Sequence, residues 1–187
     1  MNDSWDKLIS ECESCQACAL SETRTNCVFG DGNRSAKLLF VGEAPGDNED
    51  KTGKPFIGRA GKLLDEYLCE IGFSRDEIYI ANILKCRPPK NRDPLPAEEA
   101  ACVDFLRRQI ALIRPQIIVC LGRISAMKLI KPDFKITLDH GKYFERDGVL
   151  MTAVYHPALL LRDPRKKPQM LEDMISIKQK LDSLGNN

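Results

Sequence analysis

Lys37-Leu38-Leu39-Phe40-Val41-Gly42-Glu43-Ala44-Pro45-Gly46 decides the fold. Its unbroken apolar run, stopped at once by Gly and Pro, is the pattern of a short strand buried on both faces. The pattern recurs three times. Ile78-Tyr79-Ile80-Ala81-Asn82-Ile83-Leu84 runs into a proline-rich basic loop, and Ile117-Ile118-Val119-Cys120-Leu121 ends at Gly122. Residues 134–155 read as strand segments around an Asp147-Gly148 turn, ending in Val149-Leu150-Met151-Thr152-Ala153-Val154-Tyr155. Between these runs the periodicity becomes helical. Gly58 to Ile71 carries Leu63, Leu64, Tyr67 and Leu68 on one face. Pro96 opens a helix with Glu98 and Glu99 in its first turn, where carboxylates suit the macrodipole. A short helix is expected from about residue 124, and further helices over about 4–12 and about 168–183.

Strands alternating with helices predict an α/β fold: a three-layer α/β/α sandwich with a mainly parallel central sheet of about four strands. One domain is expected over residues 1–187, with a cysteine-rich segment near its N-terminus. Ligands of such sheets bind outside the carboxyl ends of the strands. There the chain places Gly42-Glu43-Ala44-Pro45-Gly46, Asn82, Gly122-Arg123 and His156-Pro157, so the strand ends converge on one crevice.

Composition narrows the class. Hydrophobic residues make up 43% and charged residues 29%, ordinary for a globular protein. No run of about 18 apolar residues exists, which predicts no membrane helix. Met1-Asn2-Asp3-Ser4-Trp5-Asp6 is acidic and precedes no apolar stretch, so no secretory signal is expected and the cytoplasm is the expected location. A net charge of +1 neither demands nor forbids nucleic acid. Affinity for DNA must come from local basic groups. Candidates are Lys85, Arg87, Lys90 and Arg92, and later Arg162, Arg165, Lys166 and Lys167.

Eight cysteines are many for such a chain, and in a reducing compartment they favour ligation over disulfides. Cys15-x-x-Cys18 is one knuckle, and Cys86 and Cys102, with fifteen residues between them, are the natural second pair. Cys12-x-x-Cys15 competes as the knuckle, whereas Cys27, Cys69 and Cys120 read as structural. One knuckle plus two scattered cysteines leaves iron–sulfur and zinc both open.

In order along the chain stand Cys15-x-x-Cys18, Gly42-Glu43-Ala44-Pro45-Gly46, Glu49-Asp50-Lys51-Thr52-Gly53-Lys54-Pro55-Phe56-x-Gly58, and Asn82-Ile83-Leu84-Lys85-Cys86-Arg87-Pro88-Pro89. Cys102 and His156-Pro157-Ala158-Leu159-Leu160-Leu161-Arg162 complete the set. This ordered set, covering about residues 15–162, resembles the family 4 uracil-DNA glycosylases, the iron–sulfur branch of their superfamily. The resemblance implies a base-excision enzyme acting on uracil-containing DNA, single- or double-stranded, as a monomer away from membranes. It also implies a structural 4Fe-4S cluster on Cys15, Cys18, Cys86 and Cys102, with Cys12 outside the pattern.

The residues suit that chemistry. Uracil presents an O4 acceptor beside an N3–H donor, and the Asn82 amide can answer both. Cytosine reverses both polarities, a mismatch that can discriminate by ~10⁴ or more. His156 is placed where the departing base gathers charge on N1 and O2, and a donor aimed there lowers the barrier. By resemblance, Phe56 stacks on the flipped ring and Glu49 borders the uracil C5 edge. Gly42, Glu43, Ala44 and Pro45 contact the base. Ala44 occupies the position of the water-orienting Asp of family 1 enzymes, which leaves Glu43 as the nearest carboxylate. The resemblance also makes Leu159-Leu160-Leu161 an apolar wedge, centred on Leu160, entering the duplex, while Arg162, Lys85 and Arg87 hold phosphates.

Rival readings are a non-catalytic, metal-stapled nucleic-acid-binding module and the superfamily branch that links to DNA through a histidine. The second carries a basic insert after the second strand that Lys85-Cys86-Arg87-Pro88-Pro89 lacks. A small redox carrier leaves the strand-end crevice unexplained.

Overall fold

A computed structural model describes residues 4–185, so the first three residues of the acidic N-terminal stretch lie outside the described part. The Ser4 hydroxyl caps α1 (Trp5–Glu13) by accepting the Lys7 N–H. A cysteine-rich loop and the short α2 (Leu20–Thr23) lead to β1 (Asp31–Gly32) and β2 (Leu38–Gly42). After α3 (Asp47–Thr52) and α4 (Arg59–Glu70) come β3 (Tyr79–Asn82), α5 (Pro96–Ile113) and β4 (Ile117–Leu121). Next stand α6 (Arg123–Leu129), α7 (Ile136–Asp139), β5 (Phe144–Arg146) and β6 (Val149–Val154). The chain closes with α8 (Pro157–Arg162) and α9 (Lys167–Gly185).

The strands form one sheet in the order β1-β3-β2-β4-β6-β5. β3, β2, β4 and β6 run parallel, as expected, while β1 and β5 add antiparallel edges. The strand count therefore rises from about four to six. Neither edge carries a buried apolar run: β1 is Asp31–Gly32, and two of the three residues of β5 are exposed. Part of the stretch from 134 is helical instead, as α7. The hairpin joining β5 to β6 turns at Asp147 (φ 52°) and Gly148 (φ 77°), the left-handed pair of a two-residue turn.

Alternation along β2 builds the layers. Leu38 and Phe40 face a core with Leu64 and Leu68 of α4, Leu160 of α8 and Met170 and Met174 of α9. Leu39 and Val41 face the opposite core with Cys102 and Leu106 of α5 and Ala126 and Leu129 of α6. The result is the three-layer sandwich. β3 adds to one side of β2, whereas β4 and β6 add to the other. Connections that reverse in this way open a crevice at the strand carboxyl ends.

Candidate active site

Asn82 ends β3 beside Gly42 of β2. The residue is 1% exposed, and both Nδ2 and Oδ1 lie buried with no hydrogen-bond partner. An unmet buried polar group costs about 1–3 kcal/mol, so this amide calls for a partner that the protein itself does not supply. Glycine at 42 creates the space. A Cβ there would collide with Asn82 Oδ1 and come within 2.6 Å of the Phe56 ring.

Phe56 adopts φ 51°, a left-handed conformation uncommon for an aromatic residue. Three neighbours enforce it. Arg75 donates from Nη1 to Pro55 O (3.1 Å), from Nη2 to Phe56 O and from Nε to Asp65 (2.6 Å). Glu49 Oε1 accepts the N–H groups of Ile57 (3.0 Å) and Gly58 (2.9 Å). Gly61 of α4 packs against the Phe56 carbonyl so closely that no Cβ would fit. The Phe56 ring thereby lies 5.7 Å from the His156 ring at an interplanar angle of 36°.

His156 caps α8 with its ring: Nδ1 accepts the Ala158 N–H at 3.1 Å. A nitrogen that accepts carries no proton, so the neutral tautomer bears its hydrogen on Nε2. Burial, aided by the Arg162 charge and opposed by Glu49, pulls the His156 pKa down to about 4. The ring is therefore a neutral Nε2–H donor at physiological pH. Gly122 (φ 93°) allows it this position, because a Cβ there would lie 2.8 Å from His156 Cβ.

Glu43 follows Gly42 and is partly buried. Burial, with Asp93 and Glu99 reinforcing and Arg123 opposing, pushes its pKa up to about 7. Such a carboxyl exchanges protons at neutral pH.

Across the sheet, a pocket partly open to solvent is lined by Cys12, Cys15, Cys18, Cys86 and Cys102 together with Arg24 and Lys85. Arg24 Nη1 donates to Cys86 Sγ (3.2 Å), and the Lys85 N–H donates to Cys102 Sγ (3.3 Å). Burial pushes the Cys102 thiol up to about 11, opposed by the Lys85 charge. Among the described residues no three Cys, His, Asp or Glu side chains meet around a point that would hold a single ion.

Residues 29–177 match the family model of the uracil DNA glycosylase superfamily. The type-4 uracil-DNA glycosylase of Archaeoglobus fulgidus is 46% identical over 183 residues, covering 94% of this chain and 92% of that protein. Those of Sulfurisphaera tokodaii (44%, covering 95% and 84%) and Thermotoga maritima (45%, covering 84% and 83%) are similar along comparable lengths. The chain belongs to the type-4 uracil-DNA glycosylase family.

Within this glycosylase fold the structure brings Gly42, Phe56, Asn82 and His156 together and corrects two expectations. Lys85 does not face phosphates. It is 1% exposed, and its Nζ bonds Asn82 O (2.9 Å) and Gln109 Oε1 (2.6 Å) inside the protein. Leu160 is no wedge, because it is 0% exposed in the core beneath α8, while its neighbour Leu161 is 37% exposed. A single helical turn cannot point adjacent residues the same way. Arg162 is exposed, whereas Arg87 is half-buried and paired with Asp47 (2.6 Å). Cys12 lies 3.3 Å from Cys27. His140 lies in the turn after α7, where its Nδ1 meets Asp173 at 2.7 Å and its ring lies 4.7 Å from that of Tyr155 at 40°. Cys69 is exposed on α4, while Cys120 is buried in β4. Sequence reasoning missed Arg75, Gly61 and Arg24, since nothing in their local sequence signals what they touch. Gly122 did carry a signal as the stop after β4.

Proposed function

We propose that the crevice takes a uracil flipped out of DNA and hydrolyses its N-glycosidic bond, releasing free uracil and leaving an abasic site for base-excision repair. The observation that carries this reading is the buried, unpartnered Asn82 amide beside the Phe56 ring. Nδ2 donates to uracil O4 and Oδ1 accepts the N3–H, which restores the missing bonds and rejects cytosine. Phe56 stacks on the ring, a contact worth ~1–3 kcal/mol that any base could make. Its rigid placement by Arg75, Glu49 and Gly61 means that little ordering cost is met on binding.

As the C1′–N1 bond breaks, the electron pair moves onto N1 and O2 of the base, and His156 Nε2–H donates to O2. Water then bonds to C1′, and Glu43 takes its proton. A carboxyl with a pKa near 7 can accept that proton at neutral pH. Glu49 supports Phe56 through the backbone of residues 57 and 58, so its effect on the C5 edge is exerted through the shape of that loop. Leu161 and Arg162, exposed on α8 next to His156, enter the gap left by the base and hold the backbone.

The cavity thiols fit a four-iron, four-sulfur cluster held by Cys15, Cys18, Cys86 and Cys102. When bound, that group supplies a rigid covalent brace among three chain segments. Arg24 bonds a ligand sulfur, and Lys85 lies against the same wall. Cysteines held as thiolate ligands suit a reducing compartment, which supports a cytoplasmic location. No helix among the described residues is long and apolar enough to cross a membrane. Both sites are built within one chain, as one domain acting as a monomer.

A labelled oligonucleotide with one uracil, treated with alkali after incubation, tests the reading. Strand breakage at uracil but not thymine is expected, falling sharply in Asn82→Ala and His156→Ala. Iron-loaded protein that gives no break would overturn it in favour of a DNA-binding module.

A further inference from the structure

Lys85 is the least expected buried residue in the chain: its side chain is among the largest that are wholly enclosed. Such a long cationic chain is almost never buried unless something holds its head. Two neutral acceptors do so, the backbone carbonyl of Asn82 at 2.9 Å and Gln109 Oε1 at 2.6 Å, with the Phe29 ring 5.8 Å away. Gln109 is itself fixed, because its Nε2 donates to Phe29 O at 2.9 Å.

The ladder explains why Asn82 requires such a partner. The Ile83 N–H bonds Gly42 O across to β2, so the Asn82 carbonyl, one residue earlier, faces the other side. On that side β1 pairs with β3 only at Tyr79 and Ile80 and has already ended. A buried carbonyl beyond the end of its neighbouring strand must find a donor elsewhere. Lys85 reaches back three residues to provide it. The backbone of Lys85 meanwhile belongs to the cysteine cavity: its N–H donates to Cys102 Sγ, its O accepts the Val28 N–H, and Cys86 is next in the chain.

We propose that Lys85 is a positioning residue, tying the cysteine-bearing wall to the backbone of Asn82 so that the uracil-reading amide keeps one orientation. The inference rests on the assignment of Asn82 as the uracil-reading residue. It makes the segment that carries Cys86 and Cys102 responsible for the rigidity of base recognition, with no electron transfer and no contact between Lys85 and DNA.

A double-mutant cycle on the iron-loaded protein tests it. Lys85→Met keeps length and apolar bulk but loses the donor. It is expected to lower kcat/KM on uracil-containing DNA about 10- to 100-fold, the scale on which a displaced recognition group acts. Inhibition by free uracil should weaken in parallel, while iron content and the cluster's visible absorption stay at wild-type levels. In an Asn82→Ala background the same substitution should change kcat/KM by less than about twofold, because its effect passes through the missing amide. Equal losses in both backgrounds would overturn the proposal, as would loss of iron in Lys85→Met. Asn82→Ala with undiminished kcat/KM and uracil inhibition would instead sink the assignment of Asn82, an outcome read without any Lys85 variant. Should Lys85→Met fail to fold, Gln109→Met removes only the outer anchor of the ammonium. It should show the same dependence on Asn82 at smaller amplitude, and an Asn82-independent loss there overturns the proposal.

Discussion

At Glu43 and His156 the protein sets two protonation states against their ordinary tendencies. Glu43 is held near 7 and His156 near 4, so between these values the strand ends carry a neutral donor and a carboxyl that gains its charge as pH rises. The rate of uracil release is therefore expected to climb through pH 7. Glu43→Gln should flatten that limb and lower the rate, whereas an unchanged limb in the variant would clear Glu43 of the role. The sign of the stability effect is also fixed. Raising a folded-state carboxyl pKa favours folding below the unfolded value, and that advantage is lost as pH rises through about 7. Glu43→Gln should accordingly raise Tm relative to wild type more at pH 8 than at pH 5. His156 acts in a separate window. Between about 4 and 6.5 the unfolded chain binds a proton that the folded ring refuses, so this group adds stability as pH rises across that range.

Short elements carry the recognition geometry, and glycines decide how near they come. Gly42→Ala places a methyl group against Asn82 Oδ1 and the Phe56 ring. Uracil excision should fall by at least about 100-fold with the melting transition nearly intact, as measured by circular dichroism beside the oligonucleotide assay. At Gly61 the obstacle is backbone, the carbonyl of Phe56, which cannot rotate away. Gly61→Ala should cost about 1–3 kcal/mol in urea unfolding as α4 is pushed off the loop. Arg75→Met leaves the Gly61 contact in place but loses the Asp65 pair on α4 and frees Phe56 from its left-handed conformation. It is expected to raise KM for DNA and the inhibition constant for free uracil more than it lowers Tm, and the reverse ranking would make Arg75 merely structural.

The whole molecule is a sandwich with a recognition crevice at one set of strand ends and a cysteine cavity that gathers α1's loop, the turn after β3 and the start of α5. Of these, only α1 rests on a small satellite core, Leu8, Cys12 and Phe29, whereas the turn after β3 and the start of α5 share the main core through Ile83, Leu84, Cys102 and Leu106. The position of α1 and its loop is therefore the one expected to depend on the proposed cluster. Cys102→Ser, or iron removal by a chelator under reducing conditions, should lower Tm by several degrees. It should also make α1 and the loop after it susceptible to protease before the rest of the chain. Equal thermal melts with and without iron would remove the cluster from the stability of the fold.

The sequence by itself determined the parallel core and the crevice, because buried strands announce themselves as apolar runs and their ends as Gly, Pro and polar residues. It also singled out the candidate cysteines and the candidate trio of Phe56, Asn82 and His156, which stand in recognisable local motifs. Only the tertiary structure decided where Lys85 and Leu160 point, since a basic or apolar residue reads the same in a loop whether it turns outward or inward. It alone revealed Arg75 as the clamp on Phe56, a contact between segments 19 residues apart. The tautomer of His156 and the raised carboxyl of Glu43 belong to the same class. Burial and through-space charge depend on the distances between elements, and no local pattern along the chain encodes those distances.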